Sequence, residues 1–165
     1  MNARINLATA DEVVVHRIAE KLNLPHFIAA TLVTRGIDTP QAVDTFLHPS
    51  LERDWQDPYL IEGMDEAVDR IASAIQNEEH ILVYGDFDLD GVSATTLMTR
   101  GLRACGAQVT PFIPLRFEEG YGLSDASIKR VASYEPKLVV TVDNGIAAKR
   151  EVQLLLDQGI DVVIT

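Results

Sequence analysis

Three aspartates stand at alternate positions in the stretch Gly85-Asp86-Phe87-Asp88-Leu89-Asp90-Gly91. This stretch follows the apolar run Ile81-Leu82-Val83-Tyr84 and leads into a helical pattern, so the carboxylates belong on a loop at a strand end, where they can converge. Carboxylates held that close repel one another unless a cation sits among them, and hard oxygen ligands select Mg²⁺ or Mn²⁺. A second acidic strand end, Val140-Thr141-Val142-Asp143-Asn144-Gly145, takes the equivalent place after a later strand, from which Asp143 can reach the same site. The chemistry implied is metal-assisted hydrolysis, in which an ion activates water and neutralises charge on a phosphoryl oxygen.

Other readings compete for the acidic turn. D-x-D-x-D-G matches the start of an EF-hand loop, but the twelfth position from Asp86 is Leu97 where a bidentate Glu is required, and the incoming helix is missing, so calcium is rejected. Asp88-Leu89-Asp90-Gly91-Val92 after an apolar strand resembles the nucleophile motif of haloacid-dehalogenase-type phosphatases, with Asp88 attacking phosphate and Asp90 as acid/base. That rival needs a later Ser or Thr, then a Lys and a late acidic pair, none of which finds a convincing place. Aspartates also cap helices, since a carboxylate favours a helix N-terminus, and one or two of the three are explained that way. Gly85 and Gly91 suggest a phosphate-cradling loop, but no G-x-G-x-x-G or Walker lysine follows.

A third constellation runs from Ile113 to Leu123. Arg116 offers a planar fork for phosphate, Phe117 and Tyr121 offer rings for a base or sugar, and Gly120 and Gly122 let the backbone approach a ligand. An ordinary loop with a core phenylalanine is the competing reading. Lys129, Arg130, Lys149 and Arg150 read as solvated helix faces, with phosphate contact as the lesser alternative.

The elements that must position these groups follow from periodicity. Strands are expected at residues 81–84, 108–113, 138–142 and 161–165, and helices at 92–105, 124–133 and 147–158. Strands separated by helices of this length imply right-handed βαβ crossovers and a mainly parallel, doubly wound α/β sheet, with ligands at the carboxyl ends of the strands. The first half reads as helical. Asp11 is the expected N-cap of a helix stopped by Pro25; a second helix spans 26–35 and ends at Gly36; a third opens at Thr39-Pro40; and another runs over 64–76. Residues 48–59 read as an irregular connection. The boundary is placed near 77–80, giving a helical N-terminal region over 1–79 and an α/β region over 80–165. The helical part reads as a cap without catalytic residues, and His16, His26, His48 and His80 are too scattered for a sequence-local metal motif.

The chain has 165 residues, enough for a full core, and its 47% hydrophobic and 24% charged content argues for a globular protein rather than a disordered or fibrous one. No stretch is apolar enough to span a membrane, and the N-terminus shows no long apolar leader. The single cysteine, Cys105, allows no internal disulfide and no cysteine cage, which points to a reducing cytoplasm. The net charge of −11 counts against a generic nucleic-acid coat, but the first 80 residues hold 14 acids against 6 bases, so most of the excess is remote from the α/β half.

Tyr84 to Gly91 and Ile113 to Leu123, specific when taken together, give the chain a resemblance to the DHH phosphoesterase superfamily and its single-strand-specific exonucleases. The resemblance extends through Arg35-Gly36-Ile37, Thr39-Pro40, Phe46-Leu47, Asp57-Pro58 with Met64, and Thr141 to Ile146. It implies a DHH-type, Rossmann-like fold with Asp86, Asp88 and Asp90 as the family's first motif and Asp143 as its second, all at a Mn²⁺ or Mg²⁺ site. It places Arg116 and its loop, with Phe117, Gly120, Tyr121 and Gly122, along a DNA path. The implied reaction is 5′→3′ exonucleolytic hydrolysis of single-stranded DNA in repair and recombination, with a single-strand-binding protein or a helicase as further partner. An inactive DHH-like partner in a replication assembly is the alternative, opposed by retention of all three aspartates. Family members carry the Asp-His-His motif after a strand like Asp161-Val162-Val163-Ile164-Thr165, so a fragment of low activity is expected.

Overall fold

The computed structural model describes residues 8–165. Residues 1–7, which open the stretch read as lacking a leader, lie outside the described residues. The chain divides into two compact units, Met1–Leu60 and Ile61–Thr165.

The first unit is built from α1 (Glu12–Leu22), α2 (His26–Thr34) and α3 (Pro40–Leu47). Asp11 caps α1 by accepting from the Val13 and Val14 N–H groups. Asn23, in the left-handed region at φ 51°, ends it, so the stop comes before Pro25 rather than at the proline. Thr39 caps α3 with Pro40 in the first turn, as its sequence predicts. The apolar stripes meet in a small core of Val15, Ile18, Ala29, Leu32 and Val43. Residues 48–59 are more ordered than expected. Ser50 accepts from the Arg53 N–H and donates its own N–H to Asp54 at 2.8 Å, closing one helical turn, α4 (Leu51–Asp54), before a 3₁₀ turn at Pro58–Leu60. One turn is too short for a hydrophobic period to register.

The second unit contains α5 (Met64–Gln76), β1 (His80–Tyr84), α6 (Leu89–Ala104), β2 (Gln108–Phe112), α7 (Asp125–Ala132), β3 (Leu138–Thr141), α8 (Lys149–Leu156) and β4 (Asp161–Ile164). The four strands are all parallel, in the order β2-β1-β3-β4. The central strands read as unbroken apolar runs because both faces are covered. Leu82, Tyr84 and Val139 point to one layer with Ile128, Val131 and Leu155, whereas Ile81, Val83, Leu138 and Val140 point to the other with Ala74 and Leu102. Ala67, Ile71 and Ile75 of α5 pack on that second layer, so α5 belongs to the sheet's unit although the change of period falls after it. Among the described residues, no helix is long and apolar enough to cross a membrane.

The strand order decides where a ligand site can form. From β1 the chain steps outward to β2, then passes back over β1 to β3, so the crossovers diverge between β1 and β3. The crevice at the carboxyl ends of those two strands is the topological switch point of the sheet.

Candidate functional site

Both acidic strand ends open onto that switch point. Asp86 follows β1 and is fully buried. Its Oδ1 accepts from the Phe87 N–H at 2.7 Å, whereas its buried Oδ2 has no hydrogen-bond partner among the described residues. A buried carboxylate oxygen left unpaired is costly, and a cation removes the cost. Asp88 caps α6, its Oδ1 accepting from the Gly91 N–H at 2.9 Å. The cap explains why α6 opens at Leu89 rather than at Val92 as periodicity predicts, and it places Asp90 in the first helical turn. Capping therefore accounts for one oxygen of one aspartate.

Asp143 follows β3 with φ 59° and is exposed. Its carboxyl is raised above the ordinary range, first by desolvation and then by repulsion from Asp88, Asp90 and Asp86. The Tyr121 phenol is raised as well, first by the charge of Asp86, then by desolvation and by Asp143 and Asp88. All four aspartates and Tyr121 thus share one electrostatic neighbourhood. Among the described residues, no three of the four aspartates bring ligand oxygens within 4.8 Å of one another. Mutual repulsion opposes closer approach, and Asp88 is held by its cap.

Glycines at these turns answer to steric demands. A Cβ on Gly91 would stand 2.6 Å from the Cβ, N and O of Asp86, so the first turn of α6 lies directly on that aspartate. Gly145 combines φ 104° with a site where a Cβ would meet Thr141 Oγ1 at 2.7 Å. Sequence reasoning overlooked Asn144. Its Nδ2 donates to the Val142 carbonyl at 3.1 Å, leaving a buried Oδ1 with no partner among the described residues, beside Asp143. Two unpaired buried oxygens, Asp86 Oδ2 and Asn144 Oδ1, therefore stand at adjacent strand ends, a donor set that suits a hard divalent ion. The adjacent cleft, ≈ 600 Å³, is lined by Tyr121, Asp143, Asn144, Gly145 and Thr165 among others.

The 113–123 loop brings Arg116 and Tyr121, but not Phe117, to the Phe87 ring of the acidic turn. The Arg116 guanidinium lies 5.1 Å from the Phe87 ring centre, and Phe87 meets Tyr121 edge to face at 6.0 Å. Phe117 is 98% exposed and so is no core phenylalanine. Gly120 is half-buried, and buried Gly122 accepts at its carbonyl from the Tyr84 hydroxyl at 2.8 Å. Arg130 corrects the sequence reading of a solvated face. Its Nε and Nη2 donate to the two Glu119 oxygens at 2.8 and 2.6 Å, Nη2 also donates to the Ile113 carbonyl at 2.8 Å, and the guanidinium stacks 3.9 Å above Phe112. Arg130 ties the loop to α7. Lys129, Lys149 and Arg150 are exposed, with Arg150 paired to Asp125.

A doubly wound parallel sheet with acidic strand ends at its switch point places the chain among α/β domains of the Rossmann-like kind. The chain belongs to the DHH family: residues 80–165 match the family's N-terminal domain. The single-stranded-DNA-specific exonuclease RecJ of Bacillus subtilis strain 168 is 40% identical over 162 residues, covering 98% of this chain and 20% of the relative. RecJ of Thermus thermophilus is 38% identical over 133 residues, 76% of this chain and 20% of that one. This chain therefore spans about a fifth of the length of these curated relatives. Among solved structures, exonuclease RecJ bound to manganese matches with TM-score 0.59 and 39% identity, over 64% of this chain and 27% of that one. RecJ from Thermus thermophilus in complex with Mn²⁺ matches with TM-score 0.60 and 28% identity, over 96% and 21%. These matches lend no support to the phosphatase or to the inactive replication partner.

Proposed function

We propose that this chain supplies part of the catalytic domain of a Mn²⁺- or Mg²⁺-dependent exonuclease that degrades single-stranded DNA from its 5′ end. The setting proposed is cytoplasmic DNA repair and recombination, with a single-strand-binding protein or a helicase presenting the strand. The observation that carries the reading is the buried Asp86 Oδ2 at the β1/β3 switch point, without a partner among the described residues and in an electrostatic neighbourhood shared with Asp88, Asp90 and Asp143. The manganese-bound relatives support the choice of ion.

Asp86, Asp88, Asp90 and Asp143 are the proposed ligands, with Asn144 beside them. Bound there, divalent ions supply Lewis-acid chemistry, activating a water and relieving charge on a phosphodiester oxygen. The protein's own part is positional. Burial and the Phe87 N–H fix Asp86, the α6 cap orients Asp88 through its Oδ1 alone among the described residues, and exposed Asp143 closes the set from the neighbouring strand. Arg116 is suited to a backbone phosphate and the rings of Phe117 and Tyr121 to stacked bases, with Gly120 and Gly122 shaping the loop between them. Stacking and phosphate contact read no particular sequence, as an exonuclease requires.

Calorimetric titration of the chain with Mn²⁺ tests the site. Saturable binding that is lost in both Asp86→Asn and Asp143→Ala supports a site shared by the two strand ends; wild-type binding in Asp143→Ala refutes it. Because the chain spans about a fifth of its relatives, little nuclease activity is expected from it alone. Robust metal-dependent degradation of single-stranded DNA by the purified chain, abolished by Asp88→Ala, would overturn that expectation.

A further inference from the structure

The helical unit holds a second group of ligand-type side chains with a different chemistry. Glu12 and His16 lie four residues apart on α1 and therefore on one face of it, and His26 opens α2 directly after Pro25. Folding the two helices against each other brings one ligand atom from each of the three side chains within 4.8 Å of the others. His26 Nε2 lies 3.1 Å from Glu12 Oε2, and the His16 and His26 rings meet edge to face with centres 5.2 Å apart. The sequence hid this group because its members come from two helices.

We propose that Glu12, His16 and His26 form a surface site for a late first-row divalent ion of the Zn²⁺ type, with water completing the coordination. Two imidazoles and one carboxylate are ligands that Zn²⁺ takes at about 2.0–2.2 Å, which in a tetrahedron separates the ligand atoms by about 3.4 Å. A group already within 4.8 Å needs only side-chain adjustment to reach that spacing. The backbone beneath is firm: Val15 and Ile18 of α1 and Ala29 of α2 are fully buried in the unit's core, and Asp11 caps α1 one residue before Glu12. All three ligand side chains are exposed, so an ion has access. Imidazole nitrogen favours Zn²⁺, Cu²⁺ or Ni²⁺ over the hard ions that an all-oxygen aspartate set selects. Bound there, the ion cross-links α1 to α2. Such a site does not depend on the proposed nuclease function.

The test is Zn²⁺ titration of the 165-residue chain at neutral pH with excess Mg²⁺ present, read by calorimetry and by the histidine ring resonances. One equivalent of Zn²⁺ is expected to bind, moving the His16 and His26 signals and leaving those of His48 and His80 in place. Losing even an outer hydrogen-bond partner costs a metal site about 10- to 100-fold in affinity, so His16→Ala and His26→Ala should each weaken binding by at least about tenfold. His48→Ala and Asp143→Asn should bind as wild type. A loss below tenfold in either ligand variant, an equal loss in His48→Ala, or unmoved His16 and His26 signals in the wild-type chain overturns the proposal and leaves the Glu12–His26 contact as a plain surface ion pair. The wild-type resonances need no variant to fold.

Discussion

Arg130→Ala removes at once the fork on Glu119, the hydrogen bond to the Ile113 carbonyl and the stack on Phe112. The Glu119 side chain is 6% exposed and that of Arg130 33%, so the pair is neither a surface bridge nor a fully buried one. Breaking a buried pair costs about 3–5 kcal/mol and an exposed pair contributes about 0.2–1 kcal/mol; discounting for the solvent that reaches Arg130 places this loss at about 2–3 kcal/mol. The Ile61–Thr165 unit should then melt about 8–12 °C lower. Circular-dichroism melts and urea unfolding measure it, and a double-mutant cycle with Glu119→Ala should return a coupling above about 1 kcal/mol. The pH dependence has a definite sign. Burial pushes the Glu119 carboxyl up, but the Arg130 fork and the Leu115 N–H outweigh it and hold the group below its ordinary range. A depressed carboxyl contributes stability above its unfolded pKa and loses it as pH falls through the folded one, so the gap between wild type and variant should narrow in acid. Hydrogen exchange should quicken across residues 113–123. A destabilisation under about 0.5 kcal/mol, as at an ordinary surface position, would refute the assignment of Arg130 as the loop's anchor.

Asp143→Asn is expected to raise the melting temperature in chelator at neutral pH. The raised folded pKa means that ionising Asp143 destabilises the fold, so the gain should vanish in acid, where both states are protonated; a variant no more stable than wild type at neutral pH counts against the shared field. Gly91→Ala should cost about 3 kcal/mol or more and abolish Mn²⁺ binding, because its Cβ meets Asp86 backbone at 2.6 Å. Gly101→Ala in the same helix, where a Cβ meets none of the described residues within 4 Å, should gain about 0.5–1 kcal/mol, and equal melting shifts in the two variants would sink the steric argument. Tyr84→Phe should cost about 1–2 kcal/mol in urea unfolding by stranding the Gly122 carbonyl, with no change up to alkaline pH, since burial first of all pushes the phenol up to about 12.

Local signals carried the elements. The apolar spacing from Met64 to Ile75 marks α5 at the bounds the structure has, and Asp11 and Thr39 mark two helix starts by their capping chemistry. The sheet's class was equally legible, because short apolar runs alternating with helical patterns admit few topologies. What stayed hidden depends on partners brought in by folding. Arg130 looks like any helix cation until Glu119, from the preceding loop, closes on it. Asn144 reads as a turn residue, and only its buried oxygen makes it a ligand candidate. Glu12, His16 and His26 belong to two helices, so no local motif announces them. The start of α6 was misplaced because an aspartate that caps a helix and an aspartate reserved for a ligand look alike in a sequence.

The packing of Gly91 on Asp86 also divides the acidic site in time. Asp86 is fully buried and its Oδ1 is held by the Phe87 N–H, so its ordering entropy is lost when the chain folds, before any ligand arrives. Exposed Asp90 and Asp143 keep their side-chain freedom until they are engaged. Under the proposed metal role, an arriving ion would meet one wall already set, and because it would be the first partner of Asp86 Oδ2 among the described residues, the domain's thermal stability would report occupancy.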